Sequence, residues 1–227
     1  GLLADDPDLG VDLPDYPAKA WERLREEGRL SAGRADLAYT PMVSGDGRPV
    51  PNAVLKVPTG GGKTYLATAT LARVLGAYLK RNTGFVLWIV PNEAIYSQTL
   101  RALRDRDHPY RQTLDRAAAG RVRIMEKGDP LACTDVDQQL CVMVLMLPSA
   151  NRSAKETLKM FQDRGDIHGF TPAEGDQKGH ADLLQAVANL DVYNLDGGAV
   201  WPMVKDSLGN ALRIIRPVMV IDEGHKA

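Results

Sequence analysis

The chain has 227 residues, of which 44% are hydrophobic and 25% are charged, and its formal net charge is −1. This length allows one large core, with or without an elaboration, and the composition is ordinary for a soluble globular protein. Because the net charge is near zero, no overall basic field attracts a nucleic acid, and any such partner must bind a local face.

Cysteine usage and hydropathy indicate the cellular environment of the protein. The two cysteines, Cys133 and Cys141, lack the spacing of metal ligands and indicate no disulfide framework, which predicts a reducing, cytoplasmic environment. The longest apolar run, residues 141–147, is too short to cross a bilayer, and no signal peptide is expected. We therefore expect no membrane partner.

The first 50 residues are predicted to form a lead-in to the core. An acidic, proline-containing stretch opens the chain and favours an irregular surface segment. Residues 18–30 carry Trp21, Leu24 and Leu30 at helical spacing, which predicts a short amphipathic helix. Residues 44–49 have the composition of a turn and separate this lead-in from the domain that follows.

A glycine-rich loop follows a predicted first strand at residues 53–57. It reads Pro58-Thr59-Gly60-Gly61-Gly62-Lys63-Thr64 and is typical of a phosphate-binding loop between a strand and a helix. Glycines let backbone N–H groups converge on an anion, and the positive end of the next helix points at the same phosphates. In this interpretation Lys63 contacts the β- and γ-phosphates of ATP, and the Thr64 hydroxyl binds Mg²⁺. The alternative is a glycine-rich turn followed by an unrelated Lys-Thr pair.

Helices and strands are predicted to alternate after this loop. The helix that follows it has five apolar residues on its buried face: Leu71, Val74, Leu75, Tyr78 and Leu79. Residues 85–90 form a continuous apolar run, typical of a strand covered on both faces, and residues 93–103 resume helical spacing. Further strands are predicted at residues 122–125, 141–147 and 218–221. This alternation predicts an α/β fold with a mainly parallel sheet.

The stretch before the last strand is longer than one crossover needs. Residues from about 150 to 212 are therefore predicted to be an insertion on the core and not a second domain. Within it we predict a glycine-rich loop at residues 165–179, a helix at residues 181–190 and a turn at residues 196–198. Residues 51–227 then form one domain that carries the insertion.

A second chemical motif ends the last strand. Its sequence is Val218-Met219-Val220-Ile221-Asp222-Glu223-Gly224-His225. Asp222 would hold Mg²⁺, and Glu223 would orient and deprotonate the water that attacks the γ-phosphorus. His225 would link the nucleotide state to neighbouring segments through a switchable hydrogen bond. Ligands of parallel sheets bind outside the carboxyl ends of the strands, so Lys63 and this acidic pair are predicted to meet at one edge.

The two motifs together resemble motifs I and II of superfamily 2 helicases. The Asp-Glu-Gly-His sequence is similar to the DEAH-like box, and residues 90–95, Val-Pro-Asn-Glu-Ala-Ile, resemble motif Ia. The resemblance covers residues 53–227 and is closest to the restriction subunits of type III restriction enzymes and related bacterial defence helicases. It implies a three-layer RecA-like P-loop domain that binds ATP and Mg²⁺. Val57 stands where the strict loop pattern has glycine, a departure that the helicase version tolerates.

The resemblance also implies partners. It implies a motor that acts on nucleic acid, with DNA expected over RNA, and places Pro91 and Asn92 near one strand. A second RecA-like domain, with its arginine fingers, and other restriction or defence subunits are the protein partners it implies. Since the sequence ends at Ala227, shortly after the second motif, we expect a fragment that binds ATP–Mg²⁺ weakly and hydrolyses it very slowly. No adenine-reading glutamine can be assigned, because the first glutamine is Gln98.

Several other residues have two interpretations. Three arginines, Arg101, Arg104 and Arg106, fit phosphate contacts but fit a solvated helix end better. Residues 144–152 fit a strand-gripping loop or a plain turn, and Trp88 and Tyr96 fit packing better than base stacking. Two other functions stay open: a P-loop ATPase switch that regulates assembly without translocation, and an RNA helicase.

Overall fold

The computed structural model describes residues 16–45, 47, 49–58, 60–146, 159–163, 165–193 and 201–222. The chain divides into two compact units between Val57 and Pro58.

Within its described residues, the N-terminal unit contains one helix and one hairpin. Helix α1 spans Tyr16–Glu26, and strands β1 (Met42–Val43) and β2 (Pro49–Val50) pair antiparallel. The helix ends earlier than the predicted residue 30 because Gly28 adopts a left-handed φ of 64° and stops it. A turn lies within the predicted residues 44–49, where the Gly47 N–H donates to the Ser44 carbonyl at 2.9 Å. Residues 46 and 48 lie outside the described residues, Pro49 already belongs to β2, and the turn joins β1 to β2, so it does not separate the lead-in from the core.

The predicted strand at residues 53–57 is wrong. Residues 51–58 have no regular secondary structure, and no strand in the described part of the chain pairs with them. Val54 is 88% exposed and Leu55 is 57% exposed. The preference of apolar residues for a strand largely reflects packing and burial, and among the described residues these side chains stay exposed.

The second unit is built on a four-stranded parallel sheet. Its strands are β3 (Gly84–Val90), β4 (Val122–Met125), β6 (Leu140–Met146) and β8 (Val218–Ile221), and their spatial order is β4-β6-β3-β8. The register pairs Gly84 with Leu140 and Val86 with Val218. The predicted strands at residues 122–125 and 218–221 are confirmed. The predicted strand at residues 141–147 begins one residue earlier, and Leu147 lies outside the described residues.

Helices cover both faces of this sheet. On one face lie α2 (Lys63–Arg73), which continues as a π-helix (Val74–Tyr78), α3 (Glu93–Arg104) and α4 (Pro109–Ala117). The other face packs against α5 (Cys133–Gln138) and α7 (Leu208–Ile215).

Strand β3 supplies both cores. Phe85 and Leu87 enter one core, whereas Val86, Trp88 and Val90 enter the other, as the alternation of a pleated strand requires. All five side chains are at most 8% exposed. The three-layer α/β architecture predicted from the sequence is therefore confirmed.

The predicted buried face of the helix after the loop is seen only in part, because Val74 and Tyr78 are half-buried. Leu71 and Leu75 are each 2% exposed, and Leu79 is a partly buried member of the same core.

The region before β8 differs in detail from its prediction. The predicted loop at residues 165–179 contains strand β7 (Ile167–His168), which pairs parallel with β5 (Leu131–Ala132). Helix α6 spans Gln177–Ala186 and not residues 181–190. It begins earlier because the Asp176 carboxylate accepts the Gly179 N–H at 2.9 Å and caps the first turn. The predicted turn at residues 196–198 lies outside the described residues.

Candidate functional site

The carboxyl edge of the sheet positions the acidic end of β8. Strand β8 runs parallel to β3, with Ile221 beside Ile89. The Asp222 N–H donates to the Ile89 carbonyl at 2.9 Å, so the ladder continues one residue beyond the strand. Asp222 is half-buried. The backbone thus fixes Asp222 at the edge where β3 ends.

Asn92 lies at the same edge and starts α3. Its side-chain oxygen accepts the Ile95 N–H at 3.0 Å, and its carbonyl accepts the Tyr96 N–H at 2.9 Å. Glu93 adds an acidic residue to the positive end of the helix. Because the side-chain oxygen of the exposed Asn92 caps the helix, a contact to a phosphate would have to come from its NH₂ group.

The glycine-rich loop forms a tight turn before α2. The Gly61 N–H donates to the Pro58 carbonyl at 3.0 Å, and Gly60 and Gly62 have φ values of 80° and 74°. Such left-handed backbone favours glycine, because a Cβ would be strained there. Gly62 is the N-cap of α2 and offers no side-chain acceptor to the first turn. The first N–H groups of a helix also lack intrahelical acceptors, so this helix start is suited to an anion.

Two residues of the phosphate-binding motif begin the helix itself. Lys63 is the first residue of α2 and Thr64 the second, and both are half-buried. Three other predicted site residues, Thr59, Glu223 and His225, lie outside the described residues. The meeting of Lys63 with Asp222 on one ligand therefore stays a prediction.

A carboxylate after β4 connects that strand to α3. Glu126 accepts the Tyr96 hydroxyl at 2.7 Å and the Arg104 guanidinium at 2.6 Å. These two hydrogen bonds, the one from Tyr96 first, lower the pKa of Glu126. Burial, followed by the hydrogen bond to Glu126, raises the pKa of Tyr96. Tyr96 thus packs and bonds within the protein, as the sequence predicted, and Arg104 already has a protein partner.

For Trp88, Arg101 and Arg106 the structure distinguishes between the two interpretations. Trp88 is fully buried in the core, so its predicted packing role is confirmed. Arg101 and Arg106 are exposed, as expected for a solvated helix end. Residues 147–152 of the proposed strand-gripping loop lie outside the described residues.

Three aromatic rings lie beside the start of α2, and the sequence analysis missed them. Tyr65 directly follows Thr64, and its ring centroid is 6.4 Å from that of Tyr110 at the start of α4. His108, the N-cap of α4, meets Tyr110 edge-on at 4.3 Å. The signal for Tyr65 was its position directly after the phosphate-binding motif. Nothing in the sequence pointed to Tyr110, which is distant along the chain.

The rest of the described chain offers no competing metal or thiol chemistry. Within the described residues, no group of three or more His, Cys, Asp and Glu side chains could hold a metal ion. Burial raises the pKa of the Cys141 thiol to about 12 and also raises that of Cys133, so both stay protonated at neutral pH. None of the helices in the described ranges has the length and apolar character needed to cross a membrane.

A parallel sheet between two helical layers makes this a three-layer α/β domain, and its glycine-rich helix start and acidic residue at the carboxyl edge are consistent with the RecA-like class. A family model described as type III restriction enzyme, res subunit, matches residues 11–170. The match covers more than half of the chain, and the chain therefore belongs to this family, which implies a helicase-like ATP-binding domain of restriction-type enzymes. It ends before Asp222, so the second motif rests on the sequence and the sheet geometry. No curated protein and no solved structure matches the chain.

Proposed function

We propose that the chain is the ATP-binding motor domain of an Mg²⁺-dependent nucleic-acid helicase or translocase, with DNA as its track. In this proposal residues 1–50 are a lead-in and residues 51–227 the first RecA-like domain. The observation that carries it is the left-handed glycine turn at Gly60–Gly62, which leads directly into the helix that begins with Lys63. This arrangement suits the phosphates of a nucleotide.

The direction of α2 supports a position of this turn near the carboxyl edge of the sheet, where Asp222 lies. The helical segment of residues 63–78 leads through residues 79–83 into the amino end of β3. Sixteen helical residues span about 24 Å, and seven strand residues span about 23 Å. Because Leu71 and Leu75 belong to the same core as Val86, Trp88 and Val90 of β3, a helix of this length that runs back along the strand would begin near the opposite, carboxyl edge. Asp222 ends β8 at that edge.

The groups on the two motifs suit a metal-bound triphosphate. Lys63 supplies a cation for the phosphates, while the Thr64 hydroxyl and the Asp222 carboxylate are the hard oxygen donors that Mg²⁺ prefers. The ion, when bound, would neutralise charge that develops on the phosphates. Glu223 would orient the attacking water and take its proton, and His225 would connect this site to neighbouring segments.

The nucleic acid is proposed to meet the same edge of the sheet. Pro91 and Asn92 follow β3 directly, and the Asn92 NH₂ group is a donor of the kind that contacts phosphates. A second RecA-like domain would supply arginine fingers, and restriction or defence subunits would supply further activities. Type III restriction is the system that the family favours.

ATP turnover with and without nucleic acid tests this proposal. We expect the protein that contains this chain to hydrolyse ATP faster when double- or single-stranded DNA is added, and less so with RNA. In the same assay Glu223→Gln should keep ATP bound but stall its hydrolysis. Turnover that neither DNA nor RNA changes would favour a P-loop ATPase switch, and stimulation by RNA alone would favour an RNA helicase. Hydrolysis by Glu223→Gln at the parental rate would remove the assignment of the base.

A further inference from the structure

Exposed large hydrophobic side chains in the second unit occur only beside the two motifs, within the ranges the structure describes. They are Tyr65, Leu66, Met219 and Ile221. The first two follow Lys63 and Thr64 on α2, and the last two precede Asp222 on β8. Of these four side chains, Tyr65 alone carries an aromatic ring.

Of these side chains, Tyr65 is the nearest to the glycine-rich loop along the chain. It is the third residue of α2 and is 50% exposed. In an α-helix each Cα–Cβ bond tilts toward the N-terminus, so the Tyr65 side chain leans back toward the glycine turn. A flat aromatic ring thus stands next to the phosphate-binding loop.

The ring of Tyr65 is braced from the protein side. Tyr110 lies 6.4 Å away, a separation at which aromatic rings attract one another. Tyr110 is partly buried against the core that contains Trp88, and its N–H donates to Nδ1 of His108 at 3.3 Å. Tyr110 is therefore held by the core and by the start of α4, and it limits the orientations of Tyr65.

We propose that Tyr65, braced by Tyr110, stacks against the nucleobase of the nucleotide whose phosphates bind the glycine-rich loop. This inference rests on the proposed function, because it uses the same phosphate site. In a nucleotide only a ribose separates the base from the α-phosphate, so the base falls within reach of the first turn of α2. The half-exposed Tyr65 offers the flat, apolar surface that a base requires.

Nucleotide binding by variants of the full chain tests this proposal. The ligands are ATP and inorganic tripolyphosphate, which has phosphates but no base, and affinities are measured by titration calorimetry. Because base–aromatic stacking has an established strength, Tyr65→Ala should weaken ATP binding by about 5- to 150-fold. It should leave tripolyphosphate binding unchanged, and Tyr65→Phe should restore ATP affinity. Leu66→Ala, at the neighbouring exposed position, is the matched control and should bind ATP like the parent.

The remaining outcomes each overturn the proposal in a distinct way. Equal ATP affinity of Tyr65→Ala and the parent would show that the ring only packs α2 on α4. Parallel losses of ATP and tripolyphosphate would show that Tyr65 supports the loop and not the base. Loss of oligonucleotide affinity with ATP affinity kept would assign the ring to the nucleic acid. A parent that binds neither ATP nor tripolyphosphate would remove the proposed function itself.

Discussion

Arg111 is the side chain whose removal should weaken the second unit most clearly. It lies on α4 and is 6% exposed. Its guanidinium donates to the Leu103 carbonyl at 3.2 Å, to the Val122 carbonyl at 3.0 Å and to the Asp115 carboxylate at 2.9 Å. Arg111→Met removes all three donors while keeping most of the apolar stem in place.

The magnitude follows from the acceptors that the substitution leaves behind. Leu103 is in the last turn of α3, where carbonyls lack intrahelical donors. Val122 starts β4. The carbonyl of the preceding residue, Arg121, accepts the Leu140 N–H from β6. Because successive carbonyls of a strand point to opposite sides, the Val122 carbonyl points away from β6. Each buried carbonyl left without a donor costs about 1–3 kcal/mol, while Asp115, at 26% exposure, can recover water. For two carbonyls we therefore expect a loss of about 2–6 kcal/mol, a large part of a typical domain's stability.

Urea unfolding, followed by far-UV circular dichroism, measures this loss. The matched control is Arg116→Met on the same helix, because Arg116 is exposed and makes a long hydrogen bond of 3.3 Å to Thr113. The control should change the free energy of unfolding by less than about 0.5 kcal/mol. If Arg111→Met is no less stable than this control, the reasoning from orphaned carbonyls is refuted.

Two further predictions concern Glu126 and Gly209. Hydrogen bonding, first to Tyr96, lowers the pKa of Glu126, so its carboxylate stabilises the fold above the unfolded pKa, and this contribution is lost as the pH falls through the folded pKa. Glu126→Gln should lower the free energy of unfolding by about 1 kcal/mol or less at pH 7, because the site is partly exposed. In urea titrations the difference between parent and variant should shrink below about pH 4. A difference that does not change with pH would contradict this. Gly209→Ala would place a methyl group against the ring of Phe161, which should cost about 1–3 kcal/mol in thermal unfolding. Gly76→Ala, where a Cβ meets open space, is its control, and an equal effect of both would exclude the clash.

The sheet was predictable from the sequence because its strands carry their own signal. Residues 85–90 and 141–146 are continuous apolar runs, and the structure buries them from both sides. The start of α3 was also predictable, because its cap by Asn92 is a local interaction between neighbours along the chain.

The failures arose where burial depends on distant residues. Residues 53–57 have the composition of a strand, but none of the strands in the described ranges pairs with them. The pairing of β5 with β7 joins two-residue strands from distant parts of the chain, which no periodicity can reveal.

The candidate site was predictable only in part. Lys63 and Asp222 could be named because each belongs to a contiguous motif. Tyr110 could not, because its place beside Tyr65 follows from how α2 packs on α4. Arg111 is missed for the same reason, since its hydrogen bonds to Leu103 and Val122 exist only once the helices and the sheet are assembled.

ATP binding measured with and without Mg²⁺ on Lys63→Ala and Asp222→Asn tests most directly whether the two motifs serve one triphosphate. If they do, Lys63→Ala loses ATP affinity in both conditions, because the cation that contacts the phosphates is gone. Asp222→Asn should bind ATP without Mg²⁺ like the parent but lose the added affinity that Mg²⁺ gives the parent. Parental affinity for ATP–Mg²⁺ in both variants would contradict the shared site.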